Sequence, residues 1–155
     1  MSQATLTNPL ARYVHARRVG SLVFIAGQGS RDPVTNAYAG VKRNNAGEVV
    51  TYDIAAQTKA VLQNIERVLH SLGLDRSHIV DVNVFLTSMD DFAAMNHVWN
   101  EFFAVTPPPT RTTVAVAQLP GDNFVEMKAT AAFPEGGSQS MTSGVTHSGV
   151  NHELK

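Results

Sequence analysis

Residues 53–86, DIAAQTKAVLQNIERVLHSLGLDRSHIVDVNVFL, decide the fold. Val61, Leu62, Ile65, Val68, Leu69 and Leu72 recur at helical spacing, so this stretch opens with an amphipathic helix. Asp53 is a natural N-cap, because its carboxylate can accept the unpaired N–H groups of the first turn. Gly73 is a natural stop. The period then changes from helical to alternating. In residues 79–86, Val80, Val82, Val84 and Leu86 fall on one face and Asp81 and Asn83 on the other, the pattern of a strand. A helix with one apolar stripe followed directly by such a strand implies a sheet with a helix packed on it.

Working outward, residues 19–28 (VGSLVFIAGQ) read as a strand built on Leu22-Val23-Phe24-Ile25. Gly29, Pro33, Asn36, Gly40 and Gly47 punctuate residues 29–51, which read as a hairpin or a long ordered loop. On the other side, Ser88 and Asp91 resemble a capping box with Asp in place of Glu. Phe92, Met95, Trp99 and Phe102 follow at helical spacing, predicting a second helix to about Ala104, and Pro107-Pro108-Pro109 blocks its continuation. Residues 111–119 and 123–133 read as two strands joined at Pro120-Gly121-Asp122. From Pro134 the chain is rich in Ser, Gly, Thr and His, so residues 1–134 are expected to form one domain and residues 135–155 a disordered tail. The order predicts an α+β fold, a mixed sheet with two helices on one face. The other face also needs cover, and alternating apolar residues on strands 79–86 and 111–119 predict association with further copies of the chain.

The 155 residues are 43% hydrophobic and 16% charged, which suits a single core. There is no cysteine, so neither disulfides nor thiolate chemistry enter, as suits a cytoplasmic location. Lys plus Arg number 12 against 13 Asp plus Glu, a net charge of -1 that argues against a nucleic-acid partner. No apolar run is long enough to span a bilayer, and Met1 to Leu10 lacks the pattern of a signal peptide.

The sequence carries no nucleophile elbow, phosphate loop, HExxH or CxxC. No metal site is expected: His147 and His152 lie in the predicted tail, and His70 suits the end of the first helix. His15 is close to Tyr13 and reads as a strand-edge residue. Two ionisable residues stand out. Arg111 opens a mostly apolar strand directly after Pro107-Pro108-Pro109-Thr110, a stiff mounting from which a guanidinium can grip a carboxylate bidentately. On pattern alone, an arginine paired with a surface acid is the plainer reading. Glu126 lies on one strand face with Phe124, Lys128 and Thr130, opposite Val125, Met127 and Ala129. Burial there would raise its pKa and suit it to move protons. A solvent-facing glutamate beside Lys128 is the plainer alternative.

With a turn centred near Gly121, Arg111 pairs near residue 131 and Glu126 near residue 116. At about 3.3 Å per residue this leaves the two on the order of 15–20 Å apart in one chain. They share a site only where neighbouring chains supply one each.

Tyr13, Gly27-Gln28, Asp53-Ile54-Ala55-Ala56-Gln57-Thr58, Asn64, Asn96, Phe102-Phe103, Pro109-Thr110-Arg111-Thr112-Thr113-Val114 and Val125-Glu126-Met127 together resemble the Rid (reactive intermediate deaminase, YjgF-like) family. The resemblance covers roughly residues 10–133. It implies a chorismate-mutase-like fold and a homotrimer with sites at the subunit interfaces. It further implies that Arg111 binds a substrate carboxylate, that Glu126 positions or activates water, and that Tyr13 and Asn96 line the pocket. Backbone groups near Gly27 would approach the substrate. No cofactor is implied, because an imine is already an electrophile.

Two positions depart from the common family pattern. Ala26 stands where many members have Ser, and Thr113, taken as a substrate-binding position, where many have Cys. The segment between Gln28 and Asp53 is also longer. Its Gly29-Ser30-Arg31-Asp32-Pro33 and Ala39-Gly40-Val41 resemble the 2-aminomuconate deaminase branch, which hydrolyses a dicarboxylic enamine and releases ammonia. A second carboxylate needs a second cation. Arg31 is the first choice, ahead of Arg17, Arg18, Lys42 and Arg43. The alternatives are a general deaminase of 2-aminoacrylate-type enamines, a non-catalytic trimeric ligand-binding or protein-protecting module, and, least favoured by charge, an RNA-directed activity.

Overall fold

The computed structural model describes residues 5–136, so nearly all of the tail predicted as disordered lies outside the described residues. Seven strands and two α-helices follow in chain order: β1 (Ala16–Val19), β2 (Leu22–Gln28), β3 (Val41–Arg43), β4 (Val49–Tyr52), α1 (Ile54–Ser71), β5 (Ile79–Leu86), α2 (Phe92–Phe102), β6 (Thr110–Ala115) and β7 (Val125–Ala132). Five strands form one sheet in the order β1-β2-β7-β5-β6. Its neighbours are antiparallel except β5 and β6, which run parallel. β3 and β4 make a separate hairpin.

α1 and β5 form where their periodicity predicts, except that Leu72 and Val80, expected on the apolar faces, are 37% and 44% exposed. Asp53 accepts from the Ala56 N–H at 3.0 Å, and Gly73 takes φ 73°, which a residue with a Cβ adopts only with strain. Val61, Leu62, Ile65, Val68 and Leu69 bury against Val82, Val84 and Leu86 of β5, Met127 and Ala129 of β7, and Val23 and Ile25 of β2. Each of the larger apolar side chains contributes roughly 1.5–3 kcal/mol relative to exposure. Both helices pack on this one face, which makes the molecule an α+β fold. Among the described residues no helix covers the other face, and Leu22, Phe24 and Val114 stand 40%, 43% and 43% exposed on the side to which the strand register assigns them.

Several expectations are corrected. The strand predicted over 19–28 is a hairpin, with Val19 paired to Leu22 across Gly20-Ser21. Gly20 supplies the positive φ of 62° that the turn requires. Val80 does not join the buried face of β5: the register slips between Ile79 and Asp81, and Val80 is 44% exposed. Ser88 accepts from Asp90 N–H in a short 3-10 turn, and α2 starts only at Phe92, so the expected capping box does not form. The strand predicted over 111–119 ends at Ala115.

The largest correction is topological. β6 and β7 are not a hairpin: β5 lies between them. β5, α2 and β6 form a strand–helix–strand crossover, the connection that parallel neighbours require. Gln57, fully buried on α1, fixes the link that follows. Its Nε2 donates to the Asp122 carbonyl and its Oε1 accepts from the Phe124 N–H, both at 2.8 Å.

Candidate active site

Glu126 lies on the uncovered face of β7, opposite Phe85 of β5, with Val125 and Met127 buried on the helix face, as strand parity predicts. On its other flank β2 is irregular: the register with β7 shifts between Ile25 and Gln28, which puts Ala26 and Gly27 in a bulge. Gly27 has no Cβ, and that space holds the glutamate. A Cβ built there would fall on Glu126 Oε1 and 3.2 Å from Cδ. Glu126 is half-buried, and burial pushes its carboxyl above the ordinary glutamate pKa.

The carboxylate opens into a cavity of about 550 Å³. Gly27, Glu126 and Lys128 supply its sheet side, and the N-terminal segment with Leu10 and Tyr13 forms the facing wall. Tyr13 is 46% exposed, and its hydroxyl accepts weakly from Leu10 N–H at 3.4 Å. Two side chains tie that wall down: His15 Nε2 lies 2.5 Å from the Thr7 carbonyl, and the Arg31 guanidinium donates to the Asn8 carbonyl and to Asn36 Oδ1. Asn64, buried on α1, holds the Gly29 and Arg31 carbonyls at 2.8 and 2.9 Å and so fixes the loop behind. Sequence reasoning did not assign Lys128 to a pocket, although its parity with Glu126 was the signal. Tyr38 and Asn123, which also line the cavity, carried no local signature.

Arg111 is elsewhere. In the parallel β5–β6 register it pairs with Val82, so it projects to the helix face. There its Nη1 donates to Asn96 Oδ1 at 2.9 Å, and the guanidinium carbon sits 4.8 Å from the Trp99 ring centroid and 5.7 Å from that of Phe92. Burial lowers its pKa, yet a guanidinium remains a cation. Among the described residues no carboxylate lies within ion-pair distance of it, so the plainer reading of a surface pair does not hold. Thr113 points to the same side, and its buried hydroxyl has no hydrogen-bond partner.

The candidate residues thus fall into two groups. Tyr13, Gly27, Arg31 and Glu126 share the cavity; Arg111, Asn96 and Thr113 form a corner between β6 and α2. Two strand spacings and three residues of register separate Arg111 from Glu126, on the order of 14 Å between backbones. They also project from opposite faces. The hairpin geometry behind the expected separation was wrong, but the separation is present. Among the described residues no three His, Asp or Glu gather to hold a metal, and no helix is long and apolar enough to cross a membrane.

Among the described residues, the α+β protomer thus presents a guanidinium without an ion-pair partner on one face of its sheet and a half-buried carboxylate on the other. The chain matches the endoribonuclease L-PSP family over residues 3–133. It is 39% identical over 123 residues to a RutC family protein of Pyrococcus abyssi, covering 79% of this chain and 87% of that one. It is 34% identical over 121 residues to a 2-iminobutanoate/2-iminopropanoate deaminase of Dermatophagoides farinae, covering 78% and 85%. The crystal structure of Escherichia coli TdcF with bound serine superposes with a TM-score of 0.73 at 29% identity, covering 86% of this chain and 97% of that one. The chain belongs to this family, the Rid or YjgF-like family that its motifs resemble.

Proposed function

We propose that this protein is a hydrolytic deaminase of carboxylate-bearing enamines and imines, working in clefts between the subunits of a homotrimer. The observation that carries this reading is the placement of Arg111 and Glu126 on opposite faces of one sheet. Each is half-buried, and neither has an ion-pair partner among the described residues. Two such charges, each held part way out of water, are incomplete halves of a site. A neighbouring copy packed on the uncovered apolar face would bring one half to the other.

In that cleft Arg111 grips the substrate carboxylate and orients the adjacent C=N carbon toward water. Asn96 holds the guanidinium in place, and the unpartnered Thr113 hydroxyl offers one more polar contact. The enamine tautomerises to the imine, water adds at carbon, and the carbinolamine expels ammonia to leave the 2-oxo acid. Glu126 takes the proton from water and returns one to the departing nitrogen, and its raised pKa suits both directions. Tyr13 and the backbone at Gly27 complete the wall. None of these steps needs a cofactor.

Within the class, the finer proposal is 2-aminomuconate, a dicarboxylic enamine from aromatic-compound catabolism. Its support is the extended 29–52 segment, whose Arg31 and Tyr38 line the cavity. The mite relative's activity on 2-imino acids favours a second reading, a general deaminase of monocarboxylic imines. The test is to generate each substrate in situ and follow ammonia release by wild type and Arg111→Ala. Turnover of the dicarboxylate, lost in the variant, supports the proposal. No ammonia from either substrate would favour a binding module instead.

A further inference from the structure

We propose that Lys128 is the specificity residue that selects dicarboxylic over monocarboxylic substrates, holding the distal carboxylate beside Glu126. This rests on the deaminase reading above and deepens it. Lys128 is the next residue after Glu126 on the same face of β7, about 6.6 Å further along the strand. Both line the cavity. A substrate whose reacting carbon sits at Glu126 therefore meets the ammonium about one such span away.

The other basic side chains of the cavity are committed. His15 Nε2 lies 2.5 Å from the Thr7 carbonyl, so that nitrogen carries the proton and donates. The remaining nitrogen, Nδ1, is buried without a hydrogen-bond partner and so presents no surface on which a substrate carboxylate could dock. Arg31 is held between the Asn8 carbonyl of the N-terminal wall and Asn36 Oδ1, which fixes the position of its guanidinium. Lys128 is exposed, and among the described residues its ammonium makes no hydrogen bond or ion pair. A compact charge with three rotatable donors suits a single carboxylate end. It also offsets the repulsion that an ionised Glu126 exerts on a dianion. Arg31, the first choice from sequence, becomes a positioning residue for the wall.

The test compares kcat/KM for 2-aminomuconate and 2-iminopropanoate, each generated in situ, in wild type, Lys128→Met, Lys128→Arg and Arg31→Met. The expected result is a roughly ten-fold fall in the dicarboxylate-to-monocarboxylate ratio for Lys128→Met, carried by KM, since the pair is partly solvated. Lys128→Arg retains the ratio, and added salt erodes it in wild type. Arg31→Met lowers both substrates together. An unchanged ratio in Lys128→Met, or a ratio lost in Arg31→Met instead, overturns the proposal. Calorimetry with muconate and sorbate, stable six-carbon di- and monocarboxylates, separates the two possible failures. Preferential muconate binding that Lys128→Met abolishes, in a protein that deaminates neither substrate, sinks the deaminase reading and keeps the subsite. Equal muconate affinity in wild type and Lys128→Met overturns the subsite whatever the activity.

Discussion

Gly27 and Glu126 occupy one space: the position a Cβ would take on residue 27 is filled by the Glu126 carboxylate. Gly27→Ala must therefore push the carboxylate out of its place while leaving the core on the opposite face untouched. The expected outcome is a folded protein of unchanged far-UV spectrum with kcat/KM down roughly 100-fold, the cost of an ångström-scale misplacement. Wild-type activity in Gly27→Ala would remove Glu126 from the mechanism.

Burial raises the Glu126 pKa above its ordinary value of 4.5, and this has signed consequences for both activity and stability. As a proton acceptor Glu126 works ionised, so kcat/KM rises with pH through the raised pKa. Glu126→Gln should lose that acid limb and about 10²–10⁴ in rate. For stability, the folded state binds a proton that the unfolded state releases. The contribution of this group is fully present below the unfolded pKa and is lost as pH rises through the folded one. Glu126→Gln escapes that loss, so urea titrations should show it gaining on wild type as pH rises from below about 4.5.

Asn96 orients Arg111 through a 2.9 Å bond. Asn96→Ala should raise KM roughly ten-fold for any carboxylate substrate, with a smaller effect on kcat, because the guanidinium keeps its charge but loses its fixed plane. Asn96→Asp should be worse than alanine, since the new carboxylate competes with the substrate for Arg111. Steady-state kinetics on one substrate decide this.

Gln57 is the structural counterpart of these site residues. Gln57→Leu fills the volume but leaves the Asp122 carbonyl and Phe124 N–H without their partners. At about 1–3 kcal/mol for each of the two buried groups left unpaired, the variant should lose about 2–6 kcal/mol. Chemical denaturation measures it directly.

Where local chemistry determines structure, the fold was legible. The apolar spacing of α1 up to Leu69, its Asp53 cap, the Gly73 stop and the alternation of β7 form as the residues predict, while Leu72 falls past the helix end and is exposed. The order of β6 and β7 was not legible from their separating Pro120-Gly121-Asp122, which looks like a hairpin turn. The missed signal was one level up: strand, helix and proline-terminated loop before residue 110 make a crossover unit, which seats β6 parallel to β5. Gly20-Ser21 was read as part of the strand over residues 19–28, whose apolar run starts only at Leu22, so the turn was missed. The site was legible as residue types. Its cavity was not, because one wall is an N-terminal segment without periodicity, held by side-chain-to-backbone bonds from His15 and Arg31.

The most direct test of the shared cleft mixes two inactive proteins. Arg111→Ala and Glu126→Gln are unfolded together, refolded at equal ratio and assayed for ammonia release. If neighbouring copies supply the two residues, an interface pairing an intact Arg111 with an intact Glu126 forms by chance in about one case in four, and about a quarter of wild-type activity returns. A mixture that assembles but stays as inactive as either parent would mean that no intact site forms across the interface, and would contradict the two-subunit site.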